Sequence, residues 1–255
     1  MLLAACGGSG SGGVDAPDTR SNIGAFFIQS YTAGSMPNAA GEVDLAFFTG
    51  FPACTNVTTI GPCDVLDCVM GTEQTPHSAG AVTVTGPSTH ITLEPGANEE
   101  YAVEQAQGTL FNGGDSLTIA AAGADVPAFS RTISTPSKST IRSPPQPSTP
   151  YLPITRSAGL VVRWTGAATG TQFVSLSDGG FSVTRYLSCR FDAGAGTGTI
   201  PPDALMLLQT AAGNFSMATI TEDSVDVGDW HVSLEAYWNA VWPDDTLVSG
   251  QTMVR

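Results

Sequence analysis

The sequence predicts an all-β protein built as two β-sandwich domains, residues 22–136 and 137–255, with a flexible N-terminal tether and one short helix. Three observations carry this expectation. Apolar and polar residues alternate with period two in run after run. Helical periodicity is nearly absent. Clusters of Gly, Pro, Asn and Asp punctuate the runs at spacings that suit strands of about six residues. The 255 residues are enough to bury a sizeable core and suit one large or two ordinary domains.

In the first half the strand candidates are 25–31, 43–49, 63–69, 81–85, 90–93, 100–104, 117–121 and 128–135. Val82-Thr83-Val84-Thr85 and Leu117-Thr118-Ile119-Ala120 show the pattern most clearly, each with one face suited to burial and one to water. Gly86-Pro87 and Asn112-Gly113-Gly114-Asp115 supply turn chemistry between them. Gly61-Pro62 marks a turn just before Cys63.

The second half opens with a short strand at 140–142. Between Ser143 and Pro153, five prolines stand in eleven residues and predict an extended, stiff loop that cannot join a sheet interior. Leu160-Val161-Val162-Arg163-Trp164-Thr165 follows as a strong strand, with Trp164 expected in the core. Further candidates are 172–177, 182–191, 215–221, 230–238 and 247–254. One helical turn is expected from Pro201-Pro202-Asp203, where a proline misses no amide partner and an acid meets the positive helix end; Leu205 and Leu208 are its buried side chains.

The N-terminus carries a different signal. Leu3-Ala4-Ala5-Cys6 is followed by Gly7-Gly8-Ser9-Gly10-Ser11-Gly12-Gly13. The first four residues resemble the lipobox of bacterial lipoproteins, in which small side chains flank the cleaved bond and the cysteine thiol receives diacylglycerol. That resemblance implies residues 1–6 as residual signal peptide and lipobox, Cys6 as the lipidation site, and residues 7–22 as a Gly/Ser-rich tether. Sixteen flexible residues reach roughly 20–24 Å. A signal peptide wants a basic region and about 7–15 apolar residues before the cleavage site, so the expectation includes a true start upstream of Met1. Gly7 rather than Asp after the cysteine implies the outer membrane under enterobacterial sorting. The second half also resembles Ig-like domains of cell-surface proteins at its Pro-rich start, at Leu160–Thr165 with Trp164, and at Val174-Ser175-Leu176-Ser177. The whole chain looks like bacterial envelope lipoproteins with multidomain β bodies, a resemblance that brings no catalytic residue with it.

With Cys6 acylated, Cys54, Cys63, Cys68 and Cys189 remain, an even number in a compartment where disulfides persist. Three pairings are open. Clustering of Cys54, Cys63 and Cys68 around the Gly61-Pro62 turn points to one short bridge among them, with the partner of Cys189 undecided.

Composition narrows the function. Nine basic residues face 23 acidic ones, a net charge of −14, and Lys138 is the only lysine. Nucleic acid is excluded as a partner, because phosphate neutralisation needs a basic face, and anionic lipid headgroups are repelled, so any membrane attachment is covalent or partner-mediated, and the lipid anchor is the expected means. The sequence lacks a nucleophile elbow, a phosphate-binding Gly-rich Lys loop and a His-Glu-x-x-His pair. His77, His90 and His231 stand apart from one another and read as surface or strand residues. Two acidic clusters, Glu222–Asp229 and Asp244-Asp245, read as turns rather than as calcium or glycosidase sites. Trp230, Tyr237 and Trp238 are expected to line the core, which leaves Trp242 as the candidate exposed ring for contact with a ligand. The expectation is a non-enzymatic, lipid-anchored envelope protein with a structural or adhesive role and neither cofactor nor metal. Its partners are the membrane and a cell-surface protein or glycan. The alternative is a carbohydrate- or peptide-binding module of a surface assembly.

Overall fold

The computed structural model describes residues 22–32, 40–49, 54–69, 74–149, 151–179, 183–210 and 212–255. The fold is all-β, with a single α-helical turn at Pro202–Leu205 and two 3-10 turns, Arg156–Ala158 and Ala193–Ala195, among the described residues. The lipobox-like residues 3–6, with the expected lipidation site Cys6, and residues 7–21 of the expected tether lie outside them. The chain divides into two compact units, and neither is continuous in sequence. One comprises Met1–Pro52, Thr72–Pro136 and Ile220–Tyr237, the other Ala53–Gly71, Ser137–Thr219 and Trp238–Arg255. The first unit's middle segment ends at Pro136 and the second unit's resumes at Ser137, while residues 53–71 and 220–237 are each grouped with the other half of the sequence.

In the first unit, Phe129–Ser134, Ser116–Ala121, Val82–Thr85 and His90–Leu93 form a four-stranded antiparallel sheet. A second layer contains Asn22–Ser30 paired along its whole length with Gly41–Thr49. Period-two alternation turns Val82, Val84, Leu117 and Ile119 inward, all fully buried. From Gly41–Thr49 come Val43, Leu45 and Phe47. The Phe47 ring meets Tyr101, Phe129 and Trp230 edge-on, with centroids 6.0, 6.3 and 6.3 Å away, so one aromatic cluster joins both layers. At the margin, Arg131 pairs with Asp223 through Nε–Oδ2 at 2.7 Å and Nη2–Oδ1 at 3.1 Å.

In the second unit, Thr140–Ser143, Leu160–Thr165 and Thr197–Ile200 make a three-stranded antiparallel sheet. The Leu160–Thr165 strand alternates buried and exposed residues throughout. Trp164 is buried, and its indole N–H donates to the Ala193 carbonyl at 2.7 Å. Cys54–Ile60, Cys63–Val69, Val183–Asp192 and Thr171–Asp178 pair in that order, all antiparallel. Leu205 and Leu208 pack into the core from the helical turn, as its apolar spacing predicts.

Part of the Pro-rich stretch departs from expectation. Tyr151–Ile154 is a strand lying parallel to Ser249–Val254, whereas the proline count predicts loop throughout. Leu152 and Ile154 are buried and Tyr151 and Pro153 exposed. Pro153 is tolerated because only one side of this strand needs amide donors.

Residues 53–71 belong to the second unit because Cys63–Val69 pairs with Val183–Asp192 over its full length. In that register Asp67 faces Arg185, and they bond in a two-pronged pair at 2.6 and 2.7 Å. Arg185 also donates to the Leu207 carbonyl at 3.2 Å, and its backbone N–H donates to the buried Asp178. The guanidinium beside Asp67 holds that carboxyl below its ordinary value. A carboxyl depressed in the folded state contributes stability that is present above its unfolded pKa and lost as pH falls through the folded one. Asp67→Asn is expected to cost about 1 kcal/mol near neutral pH. The difference from wild type should vanish in strong acid, as followed by urea unfolding at several pH values. An equal difference at every pH would mean that packing, not the ion pair, accounts for it.

Candidate functional site

Among the described residues, one trio of metal-ligating side chains converges: His77, Glu99 and Asp125, all in the first unit, with one ligand atom of each lying within 4.8 Å of the others. Three loops bring them together, and each is tied by specific bonds. The segment after Thr75–Pro76 is held by the His77 N–H donating to the Phe47 carbonyl at 2.9 Å. The loop carrying Asp125 runs beside it, with Val126 N–H donating to Ser78 O at 3.0 Å and Gly123 N–H to Ala79 O at 2.7 Å. Gly123 sits in the left-handed region (φ 94°), where an added Cβ would lie 2.8 Å from the Ala128 nitrogen. Only glycine suits that turn.

Glu99 arrives through Tyr101. The buried Tyr101 hydroxyl accepts from Ala79 N–H at 2.8 Å and donates to Gly80 O at 2.7 Å, pinning the 95–101 turn against the His77 segment. The turn closes by Glu99 N–H donating to Gly96 O at 3.0 Å and Gly96 N–H to Glu100 O at 2.7 Å. Glu99 itself adopts a left-handed backbone (φ 66°), a conformation uncommon outside glycine.

Within the trio, His77 Nδ1 lies 3.5 Å from Asp125 Oδ2. On the other side of the ring, Nε2 is 3.0 Å from Thr49 Oγ1. The indole of Trp230 meets the imidazole edge-on at 5.3 Å. The histidine is half-buried, while both carboxylates are exposed. The arrangement offers one imidazole nitrogen and two carboxylates on an open surface. Sequence reasoning missed it, because positions 77, 99 and 125 have no motif spacing and the tertiary loops alone bring them together.

The residues singled out from sequence fall elsewhere. Cys6 lies outside the described residues. Cys54 bonds Cys68 and Cys63 bonds Cys189, so all four candidate cysteines are paired. The expectation of one short bridge in the 54–68 cluster is met, and Cys189 takes Cys63. Trp242 is a correction: it is 4% exposed and belongs to the core of the second unit, so it is not the exposed ring the sequence led us to expect. It opens a tight turn, accepting from Asp245 N–H at 3.0 Å and donating its N–H to Thr246 O at 2.8 Å, and the turn's polar residues face water in its place. Trp164, Trp230 and Trp238 are buried too, which leaves no tryptophan face for stacking on a sugar.

The acidic clusters are engaged as well. Glu222, Asp223 and Asp226 stand inside the long Ala212–Val227 strand rather than in a loop. Asp223 binds Arg131, and Asp226 lies 2.7 Å from His231 Nδ1. Asp244 caps its turn through Thr246 and accepts from Gln146, which hold its carboxyl below the usual range, and Asp245 pairs with Lys138 at 3.0 Å. No known protein family and no curated protein matches the chain.

Proposed function

We propose that this is an extracytoplasmic, lipid-anchored envelope protein with a structural or adhesive role, its two units being β-sandwiches of Ig-like type. The observation that carries the reading is the cysteine inventory. Four of the five cysteines pair in two disulfides, both within the second unit, and disulfides persist in oxidising compartments. Cys6 then has no cysteine of this chain to pair with, and it is the residue that Leu3-Ala4-Ala5 presents in a lipobox-like setting. Acyl chains bind membranes with about 0.8 kcal/mol per buried methylene, so two or three chains on Cys6 anchor a body whose net charge of −14 would otherwise repel anionic headgroups.

The sandwich reading is supported in the first unit by Phe47 and Phe129, which meet from two layers, and in the second by one core that draws on Val162 and Trp164 of one sheet and on Val174 and Leu187 of another. The structural role is supported by the ion-paired acids and the buried tryptophans among the described residues, with the loops as the candidate working surface.

The test is mass spectrometry of the protein isolated from its native membranes. The N-terminal peptide is expected to begin at an acylated Cys6, and Cys6→Ser to release the protein from the membrane fraction. An unmodified, reduced chain in the soluble cell interior would overturn the proposal.

A further inference from the structure

We propose that His77, Glu99 and Asp125 form a divalent-cation site that takes a zinc-class transition-metal ion, with water in the remaining positions. The inference is independent of the anchor and of the sandwich reading, since it rests on three side chains and the loops that hold them.

Geometry is the first support. Zinc bonds imidazole nitrogen and carboxylate oxygen at about 2.0–2.2 Å, which separates tetrahedral ligands by roughly 3.4 Å. His77 Nδ1 and Asp125 Oδ2 are 3.5 Å apart, and a Glu99 carboxylate oxygen lies within 4.8 Å of a ligand atom of each. Both carboxylates are exposed, so their side chains are not fixed in a packed interior.

The histidine is also oriented as a ligand. A metal-bound imidazole usually donates its second ring N–H to a fixed acceptor, which sets tautomer and ring plane. Thr49 Oγ1, at 3.0 Å from Nε2, serves as such an acceptor in the tautomer that carries its proton on Nε2. With the proton on Nε2, the Nδ1 lone pair faces Asp125. The Trp230 ring stands edge-on to the imidazole, and Thr49 ends the Gly41–Thr49 strand, where its backbone pairs with Asn22 on one side and Thr75 on the other.

Charge favours occupation. Because residues 53–71 and 220–237 change places, the first unit holds sixteen acidic residues against two arginines, a net of −14, while the second holds seven against seven. The entire net charge of the chain thus falls on the unit that carries the trio. One of the two arginines, Arg131, is already paired with Asp223. Such a field concentrates cations at the surface. The donor set then selects among them: an imidazole nitrogen favours zinc-class ions over calcium or magnesium, which prefer all-oxygen shells. Three protein ligands leave the site open, able to accept a carboxylate or other anionic group from a partner molecule.

The test is calorimetric titration of the untagged, chelator-stripped full chain with Zn²⁺, together with X-ray absorption at the zinc edge. One ion per chain is expected, with one imidazole nitrogen and carboxylate oxygens in its shell. Glu99→Gln and Asp125→Asn, both on exposed side chains, should each weaken binding at least tenfold without changing the circular dichroism spectrum. Thr49→Val should weaken it by about 10–100-fold although Thr49 does not touch the metal. Asp226→Asn, beside His231, serves as the control and should leave the affinity unchanged. Absence of a one-to-one zinc complex overturns the proposal, as does binding that survives Glu99→Gln and Asp125→Asn or is removed by Asp226→Asn.

Discussion

Replacing Cys63 and Cys189 together by alanine is expected to destabilise the second unit by about 5 kcal/mol, and replacing Cys54 and Cys68 by about 3 kcal/mol. The difference follows from the lengths of chain that the bridges close. The sequence separations are 126 and 14 residues, and the loop-closure entropy removed from the unfolded chain grows with the logarithm of that length. Cys63 and Cys189 are fully buried beside Val65, Val174 and Leu187, so lost packing adds to the effect. Urea unfolding of the two double variants, with and without reductant, measures both numbers. Reductant should lower the wild-type midpoint to near that of a variant lacking both bridges. A larger loss for the short bridge than for the long one would contradict the entropic account.

Trp242→Ala is expected to lower stability by about 3–5 kcal/mol, the usual cost of emptying a large aromatic site in a core. Trp242 shares that core with Ile141, Trp164, Phe215 and Val248. Its backbone closes the turn whose carboxylates hold Gln146 and Lys138, so the loss should spread to the 143–149 loop. Thermal unfolding and hydrogen exchange in that loop are the measurements. A glycan array run on the folded wild-type protein and on Trp242→Phe should show no difference between them. Loss of glycan binding in Trp242→Phe at unchanged stability would restore the ring as a contact residue.

Much of the fold was legible from alternation. Val82–Thr85, Ser116–Ala121 and Leu160–Thr165 each have one buried and one wet face, and there the pattern of residues and the pattern of burial are the same fact. Cys54–Ile60 escaped for the converse reason. It has an exposed run, Thr55 to Thr59, between two more buried ends, so no periodicity marks it, and its place at the end of the pairing order asks for none. Thr197–Ile200, glycine-containing and four residues long, offered equally little. The expected strand at 100–104 overlaps the observed Glu104–Ala106 only at Glu104, because the backbone around Tyr101 closes a local turn instead, with Tyr101 bridging Pro95 and Glu100 accepting from Gly96.

The candidate site was opaque to sequence for a related reason. His77, Glu99 and Asp125 serve no hydrophobic pattern, and nothing local links their positions. Tyr101, Gly123 and Thr49 bring them together through bonds spanning 22 residues (Tyr101 to Ala79) and 28 residues (Thr49 to His77).

By itself, the amino-acid sequence determined the all-β class, the short helical turn, the burial of Trp164, and an acidic body with an even set of cysteines behind a lipobox-like start. These follow from composition and from periods of a few residues, which local sterics and solvent impose. The tertiary structure alone decided which cysteine bonds which, that Trp242 is core, that residues 53–71 and 220–237 exchange units, and that a histidine and two carboxylates meet. Those outcomes depend on which strand edges find each other across the chain, and a one-dimensional pattern carries hydrophobic faces but not the partners they will meet.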